Sequence, residues 1–374
     1  MVSVPRSVLS TAARVVTASA AAVGTGLLVR TGAAVTTSFG ASWRRRPSAL
    51  PTSDHFDGTS FHNSLPSSVV SPSSMPGMVV SMLSRGDIGK PPKPVPLLTS
   101  DLGGPAADLA VTWLGHATAL LEIDGIRILA DPVWSERVSP SQQFGPKRMH
   151  AVPIAFDDLP PLDAVIISHD HYDHLDLDTV RMLTERHTAP FIVPLGVGAH
   201  LLTWGVPADR IVELDWDEQH HLGQLTFTCV QARHFSGRSL TRDDTLWSAW
   251  AVAGPRHRVF FGGDTGYTPT FADVGEKLGP FDLTLMPIGA YDPRWADIHL
   301  NPEEAVRTHL DVRGAVLMPI HWGTFDLAFH AWVEPVTRLL TAAAVHDVNV
   351  LIPRPGQRVT SVSDDLDDPW WEMG

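Results

Sequence analysis

The chain has 374 residues, a length that suits one large α/β domain or two to three smaller ones. Hydrophobic residues make up 44% of it, joined by 29 glycines, which supplies a sizeable core and excludes wholesale disorder. A net charge of −13 excludes a general nucleic-acid binder, and the single cysteine, Cys229, excludes an internal disulfide and any cysteine-based metal cluster.

Residues 1–53 hold Arg6, Arg14, Arg30, Arg44, Arg45 and Arg46 and no acid, so the negative excess lies entirely beyond them. Two uncharged stretches, Val15–Val29 and Thr31–Trp43, both fall short of the ~20 apolar residues of a spanning helix. The segment reads as a basic, Ala-rich leader that is mobile or lies on a membrane surface, its arginines facing anionic headgroups. An export signal fits less well, because no small-residue cleavage site follows the first stretch. The expected location is cytoplasmic, with peripheral membrane contact. Residues 54–107 read as a Pro-rich arm docked on the core, since prolines such as Pro91, Pro92, Pro94 and Pro96 exclude long helices and central strands.

From residue 108 the pattern changes to short apolar runs. Val111–Leu114, Ala119–Ile123 and Ile126–Ala130 read as strands, and Asp124-Gly125 between the last two signals a hairpin. Strand-like and helix-like stretches then alternate, giving an α/β catalytic domain over 108–360. Residues 361–374 read as an acidic surface tail.

The chemistry concentrates in His169-Asp170-His171-Tyr172-Asp173-His174, directly after the apolar run Asp163–Ser168. Histidines at i and i+2 in a loop can aim two imidazoles at one point, and Asp173 and His174 can serve a neighbouring point. Imidazole with carboxylate suits zinc, with iron or manganese as alternatives. Three further strand-like runs deliver a ligand type at their ends: Leu225–Val230 leads to His234, Arg258–Phe261 to Asp264, and Ala315–Ile320 to His321. In α/β sheets, ligands gather beyond the carboxyl ends of strands. Five histidines and two aspartates fill two sites: His169, His171 and His234 for one metal, Asp173, His174 and His321 for the other, and Asp264 bridging both. Two cations ~3.5–4 Å apart can lower the pKa of a bridging water and clamp a displacement at phosphorus.

These blocks resemble the metallo-β-lactamase superfamily and, within it, the N-acyl-phosphatidylethanolamine-hydrolysing phospholipase D family and its bacterial relatives. The likeness runs from His55–Asn63 through Trp113–Thr118, Gly145–Arg148, Ser168–Leu175, Ala232–Phe235, Gly262–Tyr267 and Pro287–Tyr291 to Ile320–Phe325. It implies an αβ/βα sandwich, two mixed sheets flanked by helices with the metal site at the sheet edge. It also implies a dizinc phosphodiesterase in which a metal-bridging hydroxide attacks N-acyl-phosphatidylethanolamine-like lipids, with a homodimer left open. In the family a Gln-His pair contacts the substrate phosphate; here His299 matches the histidine, but Ile298 precedes it. Asp173, Asp264 and His299 are the catalytic set.

His116 and Asp131 are expected to orient ligands, while Arg148 and Arg294 are weaker candidates for phosphate contact. The remaining histidines, among them His150, His200, His309 and His330, read as surface or satisfied side chains. Asn301-Pro302-Glu303-Glu304 has the pattern of a capped helix start. Alternative functions are hydrolysis of a lactone or β-lactam by the same hydroxide, an iron oxidoreductase of the same fold, and a metal-stabilised scaffold without catalysis.

Overall fold

The computed structural model describes residues 35–43, 52–68, 84–238, 241–360 and 368–372, together with Gly77, Val80 and Ser81. Among the described residues, fourteen strands form two seven-stranded sheets. The first holds β1 (Leu109–Gly115), β2 (Thr118–Ile123), β3 (Ile126–Ala130), β4 (Ala164–Ile166), β5 (Phe191–Pro194) and β6 (Ile211–Leu214), with β14 (Arg358–Val359) beside β1. The second holds β7 (Gln219–Leu222), β8 (Leu225–Gln231), β9 (Ser248–Ala253), β10 (Arg258–Phe261), β11 (Phe281–Pro287), β12 (Gly314–Ile320) and β13 (Asn349–Val350) in consecutive order. Each sheet begins as an antiparallel meander and continues in parallel, at β3–β4 in the first and β10–β11 in the second. This is the mixed two-sheet sandwich that the resemblance implies.

Side-chain alternation divides the core in two. Along β4 and β5, Ala164, Ile166 and Ile192 face the second sheet, whereas Val165, Phe191 and Val193 face outward. The outward set packs on α1 (Leu177–Arg186) and α2 (Val197–Thr203) through Val180, Leu183, Val197 and Leu201. The second sheet is flanked by α3 (Thr270–Lys277), α4 (Pro302–Asp311) and α5 (Glu334–His346), which bury Phe271, Ala305, Val306, Val336 and Leu339. The expected hairpin turns at Asp124 and Gly125, with φ of 49° and 83°, the left-handed pair that a two-residue turn needs. Asn301 caps α4 as expected, with the reciprocal Glu304 bond of a capping box.

The two chain ends differ from the sequence reading. Trp370 and Trp371 are buried, and Trp370 stacks on Trp322 with ring centroids 5.3 Å apart. The tail is therefore seated in the core at this point, tethered by the Arg354–Asp368 ion pair at 2.5 Å. Part of the leader is also seated: Ala41 N–H donates to His200 Nδ1 at 3.1 Å, and the Ser38 carbonyl accepts from Arg238 Nε at 3.0 Å. The expectations for residues 1–34 and 44–51 lie outside the described residues. Among the described residues no helix is long and apolar enough to cross a membrane.

Candidate metal centre

All seven expected ligands converge where the two sheets meet, each just past a strand end. The loop after β4 carries His169, His171, Asp173 and His174, while β8, β10 and β12 lead to His234, Asp264 and His321. Close approach of these loops needs Gly263, whose φ is +56° and where a Cβ would lie 2.6 Å from Ser168 Cβ. His321 also has a left-handed backbone, φ 61°, held by its N–H donating to the His116 carbonyl at 2.9 Å. Such strain persists where surrounding contacts fix it.

Two donor groups form. In the first, His171 Nδ1 lies 2.8 Å from His169 Nε2 and 3.3 Å from His234 Nε2. In the second, His321 Nε2 lies 3.4 Å from Asp173 Oδ2, and His174 Nε2 lies 3.6 Å from the same oxygen. Asp264 Oδ2 stands between the groups, 3.1 Å from His321 Nε2, 3.3 Å from His174 Nε2 and 3.9 Å from His234 Nε2.

The partners behind these rings decide which nitrogen faces inward. His174 Nδ1–H donates to Asp131 Oδ2 at 2.6 Å, and His234 Nδ1–H donates to the Ile298 carbonyl at 2.8 Å. His169 Nδ1 meets Ser168 Oγ at 2.9 Å, and that hydroxyl donates to Asp131 Oδ2 at 2.6 Å. His169 and His234 thus turn unprotonated nitrogens toward the donor group, an arrangement of lone pairs that a cation resolves, and His174 aims its Nε2 at the same centre.

Buried His174 Nε2, His321 Nε2 and Asp264 Oδ1 have no hydrogen-bond partner, which fits a metal in their place. Burial drives His169 and His234 well below the ordinary histidine range, keeping them neutral as ligands must be. Burial opposes charge on His174 too, yet Asp264, Asp173 and Asp131 outweigh it and raise its proton affinity well above the usual value. The same negative field attracts a cation. Burial likewise works against ionised Asp173 and Asp264, but the imidazoles around them hold both carboxyls well below the carboxylate range.

His116 and Asp131 take the orienting positions expected of them, His116 Nε2 lying 2.9 Å from Asp173 Oδ2. Two expectations change. Arg148 is buried, donates to the Ser135 and Val133 carbonyls and lies over Phe325, away from the lining of the metal cavity, so it does not contact a substrate phosphate there. Arg294 is held by Asp292 through Nε and Nη2 at 2.6 Å and 2.7 Å and does not line the metal cavity. His150, His309 and His330 are buried or half-buried with hydrogen-bonded ring nitrogens, and His200 accepts through Nδ1 while its Nε2 lies 3.3 Å from Asp170 Oδ2.

Asn63 plays a part that the sequence hides. Its amide accepts from His234 N at 3.1 Å and donates to His234 O at 2.7 Å, so the arm pins the backbone of a ligand from a distant segment.

A cavity of about 330 Å³ opens over the donors, lined by His171, Asp173, Asp264, His299 and His321 and walled by Phe235, Ala290, Trp295, Ile298 and Leu327, with Arg242 at its edge. His299 Nδ1 lies 3.8 Å from Asp264 Oδ2 and has no hydrogen-bond partner. His299 also lines a second cavity of about 480 Å³, with Tyr291, Asp292, Phe329, His330 and Glu334. The Ile298 side chain is buried against Trp295, Ala290 and Ala328, so the position before His299 serves packing, and its carbonyl orients His234.

The beta-lactamase superfamily domain matches residues 126–322, which contain every one of the seven donors. The chain belongs to the metallo-β-lactamase superfamily. Among its superfamily relatives, the N-acyl-phosphatidylethanolamine-hydrolyzing phospholipase D 1 of Caenorhabditis elegans is 41% identical over 66% of this chain and 73% of its own length. An uncharacterized Mycobacterium tuberculosis protein is 57% identical over 79% of this chain and 81% of its own length. The isothiocyanate hydrolase from Delia radicum gut bacteria shares the fold, with a TM-score of 0.54 at 19% identity over 67% of this chain and 98% of that one. The superfamily assignment and the His/Asp cluster make this a metal-dependent hydrolase.

Proposed function

We propose that this chain is a dizinc phosphodiesterase of the phospholipase D type, acting on N-acyl-phosphatidylethanolamine-like lipids. One observation carries the two-cation reading: Asp264 Oδ2 lies within 3.9 Å of ligand nitrogens from both donor groups, so one carboxylate can serve both sites. His169, His171 and His234 would hold one cation, and Asp173, His174 and His321 the other. The five imidazoles and two carboxylates suit zinc. A cation pair there supplies Lewis acidity toward phosphoryl oxygens and activates water near neutral pH.

The protein's own groups do the rest. His299 lines the cavity with an unpartnered nitrogen, placed to contact the phosphoryl group or pass a proton to the leaving oxygen. Phe235, Trp295, Ile298 and Leu327 exclude water and offer apolar contact to an acyl chain. The name of the Caenorhabditis elegans relative supports the lipid class. The reading brings with it peripheral contact between the arginine-bearing leader and anionic membrane on the cytoplasmic side.

The test is to incubate zinc-loaded protein with mixed micelles of N-acyl-phosphatidylethanolamine and follow phosphatidic acid by mass spectrometry. Chelator-sensitive release is expected. No release from protein shown to hold two metals overturns the lipid assignment, and turnover of lactones or β-lactams by the same sample would replace it.

A further inference from the structure

Among the described residues, every arginine near the metal cavity except one is committed to a protein partner. Arg294 is paired with Asp292, Arg233 with Asp297, and Arg148 and Arg238 with backbone carbonyls. Arg242 is exposed, lines the cavity, and its side chain makes no ion pair or hydrogen bond among the described residues. The acid beside it does not neutralise it in a pair: Asp243 accepts from Ser236 N instead, at 3.2 Å.

We infer that Arg242 anchors an oxyanion of the substrate at the mouth of the metal cavity and so selects for anionic substrates. The inference rests on the hydrolase reading of the centre and adds a specificity residue to it. Its guanidinium lies over the Phe235 ring, 4.2 Å from the centroid. That ring in turn touches two ligands, with centroids 4.4 Å from His171 and 4.8 Å from His234. Stacking engages the flat face of a guanidinium and leaves its edge N–H groups free, the edge that grips phosphate or carboxylate.

The rest of the wall is apolar: Ala290, Trp295, Ile298 and Leu327 offer an anion nothing. Beyond the donors and His299, Arg242 is the cationic group of this described lining that an oxyanion can meet. The shared chemistry is an oxyanion, either on the reacting phosphate itself or on a second group farther along the substrate.

The test compares the zinc-loaded wild type with Arg242→Ala, Arg242→Lys and Arg242→Glu on three chromogenic substrates. These are a neutral nitrophenyl ester, a nitrophenyl phosphodiester with an uncharged second arm, and the same diester bearing a carboxylate on that arm. Expected is a loss of about tenfold in the ratio of anionic to neutral kcat/KM for Arg242→Ala, carried by KM, with partial recovery in Arg242→Lys and a larger loss in Arg242→Glu. A loss on both diesters assigns the anchor to the reacting phosphate; a loss confined to the carboxylate-bearing diester assigns it to a second anion. An unchanged ratio, or equal losses on neutral and anionic substrates, overturns the inference.

Calorimetric titration with phenylphosphonate reads the same contact without turnover, in samples of verified metal content. Weaker binding in Arg242→Ala supports the anchor even where no diester is cleaved and the phosphodiesterase reading fails. Equal affinity, together with an unchanged ratio, removes it.

Discussion

Replacing Asp131 with asparagine removes one negative charge and preserves the side-chain shape. Asp131 is fully buried and accepts three hydrogen bonds: from His174 Nδ1 at 2.6 Å, Ser168 Oγ at 2.6 Å and Ser168 N at 2.7 Å. An amide can keep the backbone bond through its oxygen, but its NH₂ group then faces two donors. The cheapest relief moves the His174 proton from Nδ1 to Nε2, the atom that faces Asp264 at 3.3 Å. A proton on Nε2 competes with the cation of the second donor group. Loss of a carboxylate behind a ligating histidine costs about 10- to 100-fold in metal affinity, or about 1.4 to 2.7 kcal/mol. Full burial of the pair places this variant toward the upper end. The first donor group keeps His171 and His234 undisturbed and feels Asp131 through the Ser168 hydroxyl alone. The expected result is selective loss of one ion. Wild type should retain two metals per chain after dialysis against a weak chelator and Asp131→Asn close to one, by inductively coupled plasma mass spectrometry. Two ions retained with unchanged competition against a chromogenic chelator would refute this account of the support behind the ligands.

Asp264→Asn is expected to abolish turnover while the far-ultraviolet circular dichroism stays native, because the carboxylate proposed to bridge the cations sits outside the strands and helices; wild-type-like turnover would sink the bridging role. His299→Ala should keep both metals yet lower kcat by about a hundredfold or more, the usual range for a lost proton-transfer group; an unchanged kcat would reduce His299 to a wall residue. Trp370→Ala should destabilise the fold by about 3–5 kcal/mol, since it empties an aromatic stack on Trp322, and a denaturant midpoint reads the loss. His309 is neutral in the fold because burial lowers its pKa to about 4. The unfolded chain takes up that proton first as pH falls, so stability present above about pH 6.5 is lost down to about pH 4, up to about 3 kcal/mol. His309→Gln should flatten that part of the pH dependence of the urea midpoint; identical slopes in variant and wild type would contradict it.

The parts of the molecule readable from the sequence are those whose cause is local. His169, His171, Asp173 and His174 fall within six residues after a buried strand, so their convergence follows from one loop. His234, Asp264 and His321 were legible because each ends an apolar run, and parallel strands deliver their ends to the same edge. The Asp124-Gly125 turn and the Asn301 cap are short-range devices of the same kind. What stayed hidden depends on partners far along the chain. Arg148 was a weaker candidate for phosphate contact, and only Val133, Ser135 and Phe325 show it to be enclosed. The Trp370-Trp371 pair sits in an acidic stretch that reads as solvated, and only Trp322 and Trp113 show where it packs. Asn63 is 171 residues from the ligand backbone it pins.

The division of labour in the site explains why the superfamily fixes reaction type better than substrate. The donors come from strand ends in both sheets, and their second nitrogens are tied to Asp131, Ser168 and the Ile298 carbonyl. Changing one donor disturbs several, which keeps the cradle constant. Arg242 and Leu327 come from loops and are not among the donors, so they can vary while the donor set stays the same. The match to an isothiocyanate hydrolase therefore bears on the fold alone. Selectivity here has to be sought in two places: the apolar wall, which suits a lipid chain, and the unpaired Arg242, which favours an anion beside it. A phospholipid meets both demands in one molecule, whereas an uncharged lactone meets the first only.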